Sequence, residues 1–445
     1  MIQPPTHEGL PFLGNLHKLY FNPLDFFMKM QKRYGDVVKI NLGYLGKVYF
    51  AFNPTDIKTI FQNGLRLHRS LLRELVGNGL FVVQSGEARN QQRKMLQPAF
   101  NHDRIQTMLG SIVNTVGQTF NVTLDQYAKH NQPFNVLEEM KNLTIKIISR
   151  LVFSDVSSDD EKILIQSISF VITYLDKQLF TMFKFPRNWP VYGNKLFRES
   201  MAQIHYIINK NIDARKNGVI AEDLFTMIMT ATNQATEEKI TLEQIHHEII
   251  SIFVAGTETS SAALTWLCYL LSQHRDVQDK LRSVIHNSVQ QRQLVYDDLK
   301  NLDYAKRLVQ ETLRLYPPAW AMIRVLPTST TLASTYELAE NSRVWVSPFV
   351  THRHPSCWDN PDDFNPDRFL PENSAKRPLF SYFPFGGGAH HCIGNELAVM
   401  EAQIILTILT QRYDIKIDNI KNIGLSPTIA LTPKQSVTMR VKRLL

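Results

Sequence analysis

The residues best suited to chemistry lie in one short run, Phe385-Gly386-Gly387-Gly388-Ala389-His390-His391-Cys392-Ile393-Gly394. It holds one of the three cysteines in the chain, the others being Cys268 and Cys357. Three successive glycines forbid regular structure, because each is free to take positive φ and has no side chain to pack. After Gly394, the residues Leu397, Met400, Ala402, Ile404, Ile405 and Leu409 recur at three- and four-residue steps, the helical period. Cys392 is therefore expected on a tight loop feeding a helix N-terminus, where backbone N–H groups and the helix dipole favour a thiolate. His390 would add a donor or a positive charge beside it. A buried structural thiol accounts for the cysteine but not for the glycines. A zinc site would need a second Cys/His cluster at metal spacing, and none follows. A thiolate on haem iron accounts for both, since glycines let the backbone lie against a flat macrocycle.

A second candidate sits in the longest helical stretch. Thr241-Leu242-Glu243-Gln244 reads as a capping box, and the helix it opens runs to about Gln273, nearly apolar all round and so expected to be buried. A membrane span is the rival reading, but Gly256-Thr257-Glu258-Thr259-Ser260-Ser261 places a charge at its centre. A buried glutamate is costly unless partnered or functional, and a mid-helix threonine can bond back to the carbonyl four residues earlier. The spacing Phe-x-x-Gly-x-His-x-Cys-x-Gly resembles the haem-binding loop of the cytochrome P-450 family, where Arg is commoner at the position of His390. Ala255-Gly256-Thr257-Glu258-Thr259 resembles the oxygen-activation motif of the same family.

The resemblance extends along nearly the whole chain, from Pro4 to the end. Glu311-Thr312-Leu313-Arg314 lies in a helix from Asp303 to Leu315, and Pro366-Asp367-Arg368-Phe369 follows later. Taken alone, Glu311 and Arg314 are an ordinary helical pair at i, i+3. The resemblance implies that Glu311, Arg314 and Arg368 lock together and brace the cysteine loop. It implies that Arg324, Arg93 and His390 neutralise haem propionates, and that Phe385, Gly388, Gly394, Ala398 and Ala255 contribute to the haem site. One departure stands out. Before Gln97-Pro98-Ala99-Phe100 the family pattern is Trp-x-x-x-Arg, and here Arg89 stands where the tryptophan would be, with Arg93 kept. Two guanidinium groups four residues apart repel unless an anion lies between them, so Arg89 either binds the same carboxylate or points to solvent.

These residues must be carried by a large core, and 445 residues that are 44% hydrophobic are enough to form one. Val37 to Leu42 and Lys47 to Phe52 read as a hairpin around Gly43 and Gly46, and Asn53-Pro54 starts a helix through Phe61. Residues 65–83 read as irregular, residues 86–96 as helix, and residues 103–217 as mainly helical. The aromatic-rich stretch 170–190 is either plain core or the apolar roof of a pocket. A charged helix is expected over residues 275–290, and the C-terminal β-branched stretches, broken by Pro427 and Pro433, read as a hairpin. Length alone would allow two or three domains. The resemblance implies one, mainly α with a small β-rich lobe from about 35–60 and 320–350.

Lys plus Arg exceed Asp plus Glu by 49 − 41 = 8, but the basic residues are scattered, which argues against nucleic acid and for an acidic protein partner. Three cysteines make no disulfide framework, and a reducing compartment is expected. The N-terminus shows neither a signal peptide nor an 18-residue apolar run, so a cytoplasmic microbial enzyme is expected over a truncated anchored form. The resemblance thus implies a monomeric haem-thiolate monooxygenase. Haem b would be held by the Cys392 thiolate, whose electron donation favours O–O cleavage. Glu258 and Thr259 would manage protons. Dioxygen would be the oxidant and a hydrophobic fatty acid, terpenoid or steroid-like compound the substrate. No flavin or nicotinamide domain follows Leu445, so electrons are expected from a ferredoxin-type carrier and its reductase. A haem-thiolate isomerase, dehydratase or peroxygenase would share the loop but could dispense with Glu258-Thr259. A cysteine hydrolase would leave the long helix unexplained.

Overall fold

Alternating and continuous apolar runs early in the chain pair as strands. In the computed structural model, which describes residues 2–66, 70–83, 85–180, 189, 191–232, 239–290, 292–418 and 423–444, Val37–Asn41 and Lys47–Ala51 are antiparallel. Their register runs from Val37 opposite Ala51 to Asn41 opposite Lys47. The turn is closed by Gly43 and Gly46, both at positive φ. Asn53 then caps the helix Pro54–Asn63 by accepting the Thr55 N–H at 2.9 Å.

The chain divides into two compact units. The first comprises Met1–Leu67, Gln310–Cys392 and Ala430–Thr432. Its six-stranded sheet has the order Thr6–His7, Val37–Asn41, Lys47–Ala51, Arg343–Val346, Met322–Val325, Leu65–Arg66. The sheet therefore draws on chain outside 35–60 and 320–350, at both of its edges. A short hairpin, Thr330–Leu332 with Tyr336–Leu338, accompanies it. The helix Pro54–Asn63 lays Ile57, Ile60 and Phe61 into a core shared with Val37, Tyr49, Val344, Val346 and Phe383.

The second unit comprises His68–Val309, Ile393–Ile429 and Pro433–Leu445 and is mainly helical. Its longest element is the helix Leu242–Gln273, 32 residues or about 48 Å. Thr241 caps it, accepting the Gln244 N–H at 3.2 Å. The Gln244 side-chain amide group donates to Glu248 Oε1 at 2.6 Å, one turn further along the helix. The helix Val136–Phe153 packs along it. Gly256 makes room there: a Cβ at that position would lie 2.8 Å from Ile148 Cδ1.

Two expectations need adjusting. Residues 65–83 are not uniformly irregular, since Leu65–Arg66 is an edge strand and Ser70–Val76 a helix. The C-terminal stretch does form a short two-stranded sheet from Leu425–Pro427 and Leu431–Pro433, but the last β-branched run, Thr438–Arg443, lies outside it and pairs with Tyr413–Ile417 and, at its start, with Phe134–Asn135. The helix Asn395–Arg412 forms as its period predicts, and every residue from Met400 to Thr410 is buried. Much of the aromatic stretch at 170–190 lies outside the described residues. Within it, Phe170 and Tyr174 belong to the helix Ser158–Phe180 and stack on each other at 6.4 Å.

Candidate active site

In the first unit, Cys392 ends a loop whose shape the glycines permit. Gly386 and Gly388 take φ of 71° and 63°, and a Cβ on Gly388 would lie 2.1 Å from the Phe61 carbonyl oxygen. No other residue fits this approach of loop to helix. The Cys392 N–H donates to the Phe385 carbonyl at 3.0 Å, closing the turn. The three cysteines then differ sharply. Cys268 is buried, and burial pushes its thiol up to about 12, while Cys357 is half-buried. Cys392 is exposed on a loop anchored from behind, the state a ligating thiolate requires.

Arg324 and His390, the two basic residues expected near a haem propionate in this unit, are 4% and 8% exposed. The Arg324 guanidinium lies over the Phe61 ring, 4.9 Å from its centroid. Phe61 therefore supports Arg324 with its ring and the cysteine loop with its carbonyl. Sequence reading missed this residue, and its only signal was an apolar position near the end of a helix.

Glu311 and Arg314 do more than share a helix face. Both side chains are fully buried, and the guanidinium donates from Nε and Nη2 to the two carboxylate oxygens at 2.7 and 2.8 Å. Arg368 Nε lies 3.4 Å from the same carboxylate, and the Asn365 N–H donates to it at 2.9 Å. The link from this lock to the cysteine loop runs through His352, which sequence reading did not single out. Its Nδ1 faces the Arg314 carbonyl at 3.3 Å, and its Nε2 accepts the Phe383 N–H at 2.9 Å. Nε2 is therefore the unprotonated nitrogen. Burial, reinforced by Arg314, holds the imidazole well below its usual range, so it stays neutral. The Phe383 carbonyl in turn accepts the Gly386 N–H at 3.0 Å.

In the second unit, Gly394 caps the helix Asn395–Arg412, and its carbonyl accepts the Ala398 N–H at 2.9 Å. Ala255 and Thr259 are joined, because Thr259 Oγ1 donates to the Ala255 carbonyl at 2.7 Å. The hydroxyl's hydrogen is thus committed to the backbone, and its oxygen remains an acceptor. Glu258 is 2% exposed and lies 2.9 Å from the Lys141 ammonium. Two residues beyond Glu258, the Ser260 hydroxyl lies 3.3 Å from Glu401 Oε2, and burial pushes that carboxyl up to about 8, only partly offset by the serine.

Arg89 is not at the surface. It is 2% exposed, on the helix Glu87–Leu96, and its guanidinium is held down to about 10 by burial and by the charge of half-buried Arg93. Glu248 ties this helix to the long one, taking hydrogen bonds from Gln92, from Gln244 and, at 2.9 Å, from the Leu80 N–H.

Taken separately, the first unit has the glycine-shaped Cys392 loop and the buried Glu311–Arg314 pair, and the second has the Glu258-Thr259 step in its long helix, the features expected of a haem-thiolate oxygenase. The family model of cytochrome P-450 matches residues 4–439, and the chain belongs to that family. It is similar to cyclooctatin synthase of Streptomyces melanosporofaciens, 28% identical over 91% of this chain and 88% of the relative. A second relative from that organism, cyclooctat-9-en-7-ol 5-monooxygenase, is 25% identical over 92% and 88%. A cyanobacterial member solved with retinoic acid bound superposes with a TM-score of 0.83 at 26% identity, over 99% of both chains. The protein is a haem-dependent monooxygenase. No helix among the described residues is long and apolar enough to cross a membrane, which removes that reading of Leu242–Gln273.

Proposed function

We propose that Cys392 is the axial thiolate of haem b in an enzyme that oxygenates a hydrophobic terpenoid-like substrate. The observation that carries the ligand assignment is the exposure of this one thiol on a loop anchored through Phe61, Phe383 and His352. The donor set fits the group: one soft anionic sulfur for iron, and buried or half-buried cations for two propionates. By resemblance, Arg324, His390, Arg89 and Arg93 would hold those carboxylates. Phe385, Gly388, Gly394, Ala398 and Ala255 would lie against the ring, and Glu311, Arg314 and Arg368 would hold the loop in place. Bound haem supplies the oxygen chemistry, with one atom of dioxygen going to substrate and the other leaving as water.

The chain's own part is proton handling. The Thr259 oxygen, its hydrogen held by Ala255, can only accept, so it orients a water by taking that water's hydrogen. Glu258 then gains and loses a proton at its carboxylate. A terpenoid-like substrate is supported by the relative named for oxygenating an alkenol and by the member solved with retinoic acid. The excess of eight basic over acidic residues supports docking of an acidic, ferredoxin-type carrier. Three free cysteines support a reducing, cytoplasmic setting. The test is Cys392→Ser. The thiolate-type absorption of the reduced carbonyl adduct should vanish, because an alcohol is a far poorer iron ligand. Its retention would remove the assignment.

A further inference from the structure

Outside the residues assigned to haem, the first unit holds a second set of groups whose types and order can do chemistry. Asp36 lies between the helix Pro23–Tyr34 and the strand Val37–Asn41, and His354, Ser356 and Cys357 follow the helix Pro348–Thr351. Residues 354–357 make a tight turn, with the Cys357 and Trp358 N–H groups both donating to the His354 carbonyl, at 3.0 and 3.1 Å. His354 Nε2 lies 2.8 Å from Asp36 Oδ1, and a carboxylate can only accept, so this nitrogen carries a hydrogen. The Gln31 amide faces the same nitrogen at 3.3 Å, and Asn53 Nδ2 donates to the other carboxylate oxygen at 3.0 Å, which fixes the acid. Nδ1 is left as the basic nitrogen. The Ser356 hydroxyl lies 2.7 Å from it and the Ser356 N–H 3.3 Å, while the same hydroxyl lies 3.5 Å from Cys357 Sγ.

A nucleophile within hydrogen-bonding reach of a base, itself oriented by a third group, is the arrangement of an activated nucleophile. The imidazole is 7% exposed, whereas Cys357 is half-buried and Ser356 exposed, so a small reagent reaches the sulfur while the base stays sheltered. The electrostatics agree. The hydrogen bond to Asp36, and then one to Cys357, push His354 up to about 9. Burial pushes the Cys357 thiol up, but hydrogen bonds to His354 and Ser356 outweigh it and hold the thiol below its ordinary value. The charged groups acting on the sulfur are His354 and, behind it, Asp36, whose carboxylate opposes the thiolate.

We propose that Cys357 is an activated thiol, a modification site at which hydrogen peroxide converts the sulfur to a sulfenic acid, with His354 as its base and Asp36 as a positioning residue. The thiol proton passes through the Ser356 hydroxyl to Nδ1, giving a thiolate and an imidazolium whose charge Asp36 balances. A sulfur electron pair forms the S–O bond as the O–O bond of the peroxide breaks. Sulfur is oxidised by two electrons and the peroxide reduced by two. The departing hydroxide takes the proton back from His354 and leaves as water, so a thiol and a peroxide become a sulfenic acid and a water.

The test uses the haem-loaded enzyme and reads Cys357 by peptide mass spectrometry, which scores Cys268 and Cys392 separately. Iodoacetamide alkylation followed across pH gives the midpoint of thiolate formation, and dimedone added with hydrogen peroxide traps the sulfenic acid. In the wild type, Cys357 should alkylate with a midpoint below that of free cysteine and should take up dimedone. His354→Gln should raise the midpoint above that of free cysteine, because burial then acts without the imidazole, and should slow dimedone uptake several-fold. Asp36→Asn keeps an acceptor for Nε2 and loses the charge, so its midpoint should rise by less. Ser356→Ala, on an exposed side chain, should slow dimedone uptake with the Asp36–His354 pair intact. A wild-type midpoint at or above that of free cysteine overturns the activation of Cys357. Unchanged dimedone uptake in His354→Gln overturns the base. An unmoved midpoint in Asp36→Asn overturns the positioning role, and an unmoved rate in Ser356→Ala overturns the relay. If His354→Gln does not fold, the two variants on more exposed side chains carry the same comparison.

Discussion

Truncating Glu311 should destabilise the protein well beyond what a surface ion pair could. Glu311→Ala removes the bidentate partner of Arg314, the acceptor of the Asn365 N–H and the charge facing Arg368. The guanidinium of Arg314 is not left bare, since Nη1 and Nη2 still donate to the carbonyls of His352, Pro361 and Asp363 at 2.9, 2.6 and 3.0 Å. Its charge, however, loses its counter-charge in a site with no solvent exposure. Removing one partner of a buried pair costs about 3–5 kcal/mol. Unfolding entropies of about 2.1 cal/mol/K per residue give about 0.9 kcal/mol/K for this chain, so 4 kcal/mol lowers Tm by about 4 °C. Differential scanning calorimetry reads this directly. Asp297→Ala is the control, because its pair with Lys300 is exposed at both ends and solvent screens it. Glu311→Gln, which keeps an acceptor and loses the charge, should fall between. Haem content after expression should drop in the same order, since His352 and Phe383 carry the lock's position to the cysteine loop. A Glu311→Ala protein that melts within 1 °C of wild type and is fully haem-loaded would refute the bracing argument.

Two further outcomes follow from groups whose environment disfavours their charge. The Glu401 carboxyl is pushed up to about 8 in the folded chain, so its stabilising contribution is complete below the unfolded value near 4.5 and is lost as pH rises through 8. Glu401→Gln should therefore match wild type in Tm at pH 5 and exceed it at pH 8.5, and parallel Tm–pH curves would exclude titration of Glu401 in that window. Arg89 is buried beside Arg93, and a propionate placed by both would offset their mutual repulsion, so Arg89→Ala should speed haem loss to apomyoglobin several-fold and Arg89→Trp should largely reverse it. Equal loss rates for wild type and Arg89→Ala would make Arg89 a packing residue.

The residues that sequence reading found share one property: each sits in a short pattern whose types make no sense as plain core. Three glycines before a cysteine, and a Glu-Thr step inside an apolar helix, announce themselves because local propensity and burial conflict there. No such conflict marks Glu311 and Arg314, which stand out only through resemblance, since an i, i+3 pair is common on exposed helices and burial cannot be read from spacing. Where propensity was weak, the reading failed. Ser70–Val76 is a helix among residues read as irregular, flanked by glycines that mark turns. The C-terminal β-branched stretches read together as a hairpin, yet the last of them, Thr438–Arg443, pairs with Tyr413–Ile417, because strand pattern specifies a face and not a partner.

What the sequence hides is the set of partners that make those patterns work. Phe61 is 327 positions from the Gly388 it supports, His352 is 31 from Phe383, and Lys141 is 117 from Glu258. Each is an unremarkable residue for its own element: an aromatic on the buried side of a helix, a histidine after a short turn, a lysine mid-helix. Their roles are fixed by which elements the fold packs together, and above all by Val136–Phe153 lying along Leu242–Gln273 where Gly256 lets it approach. That packing turns an exposed-looking lysine into the counter-charge of a buried acid. The acid is written in the motif, while the cation that faces it at 2.9 Å is written only in the tertiary structure.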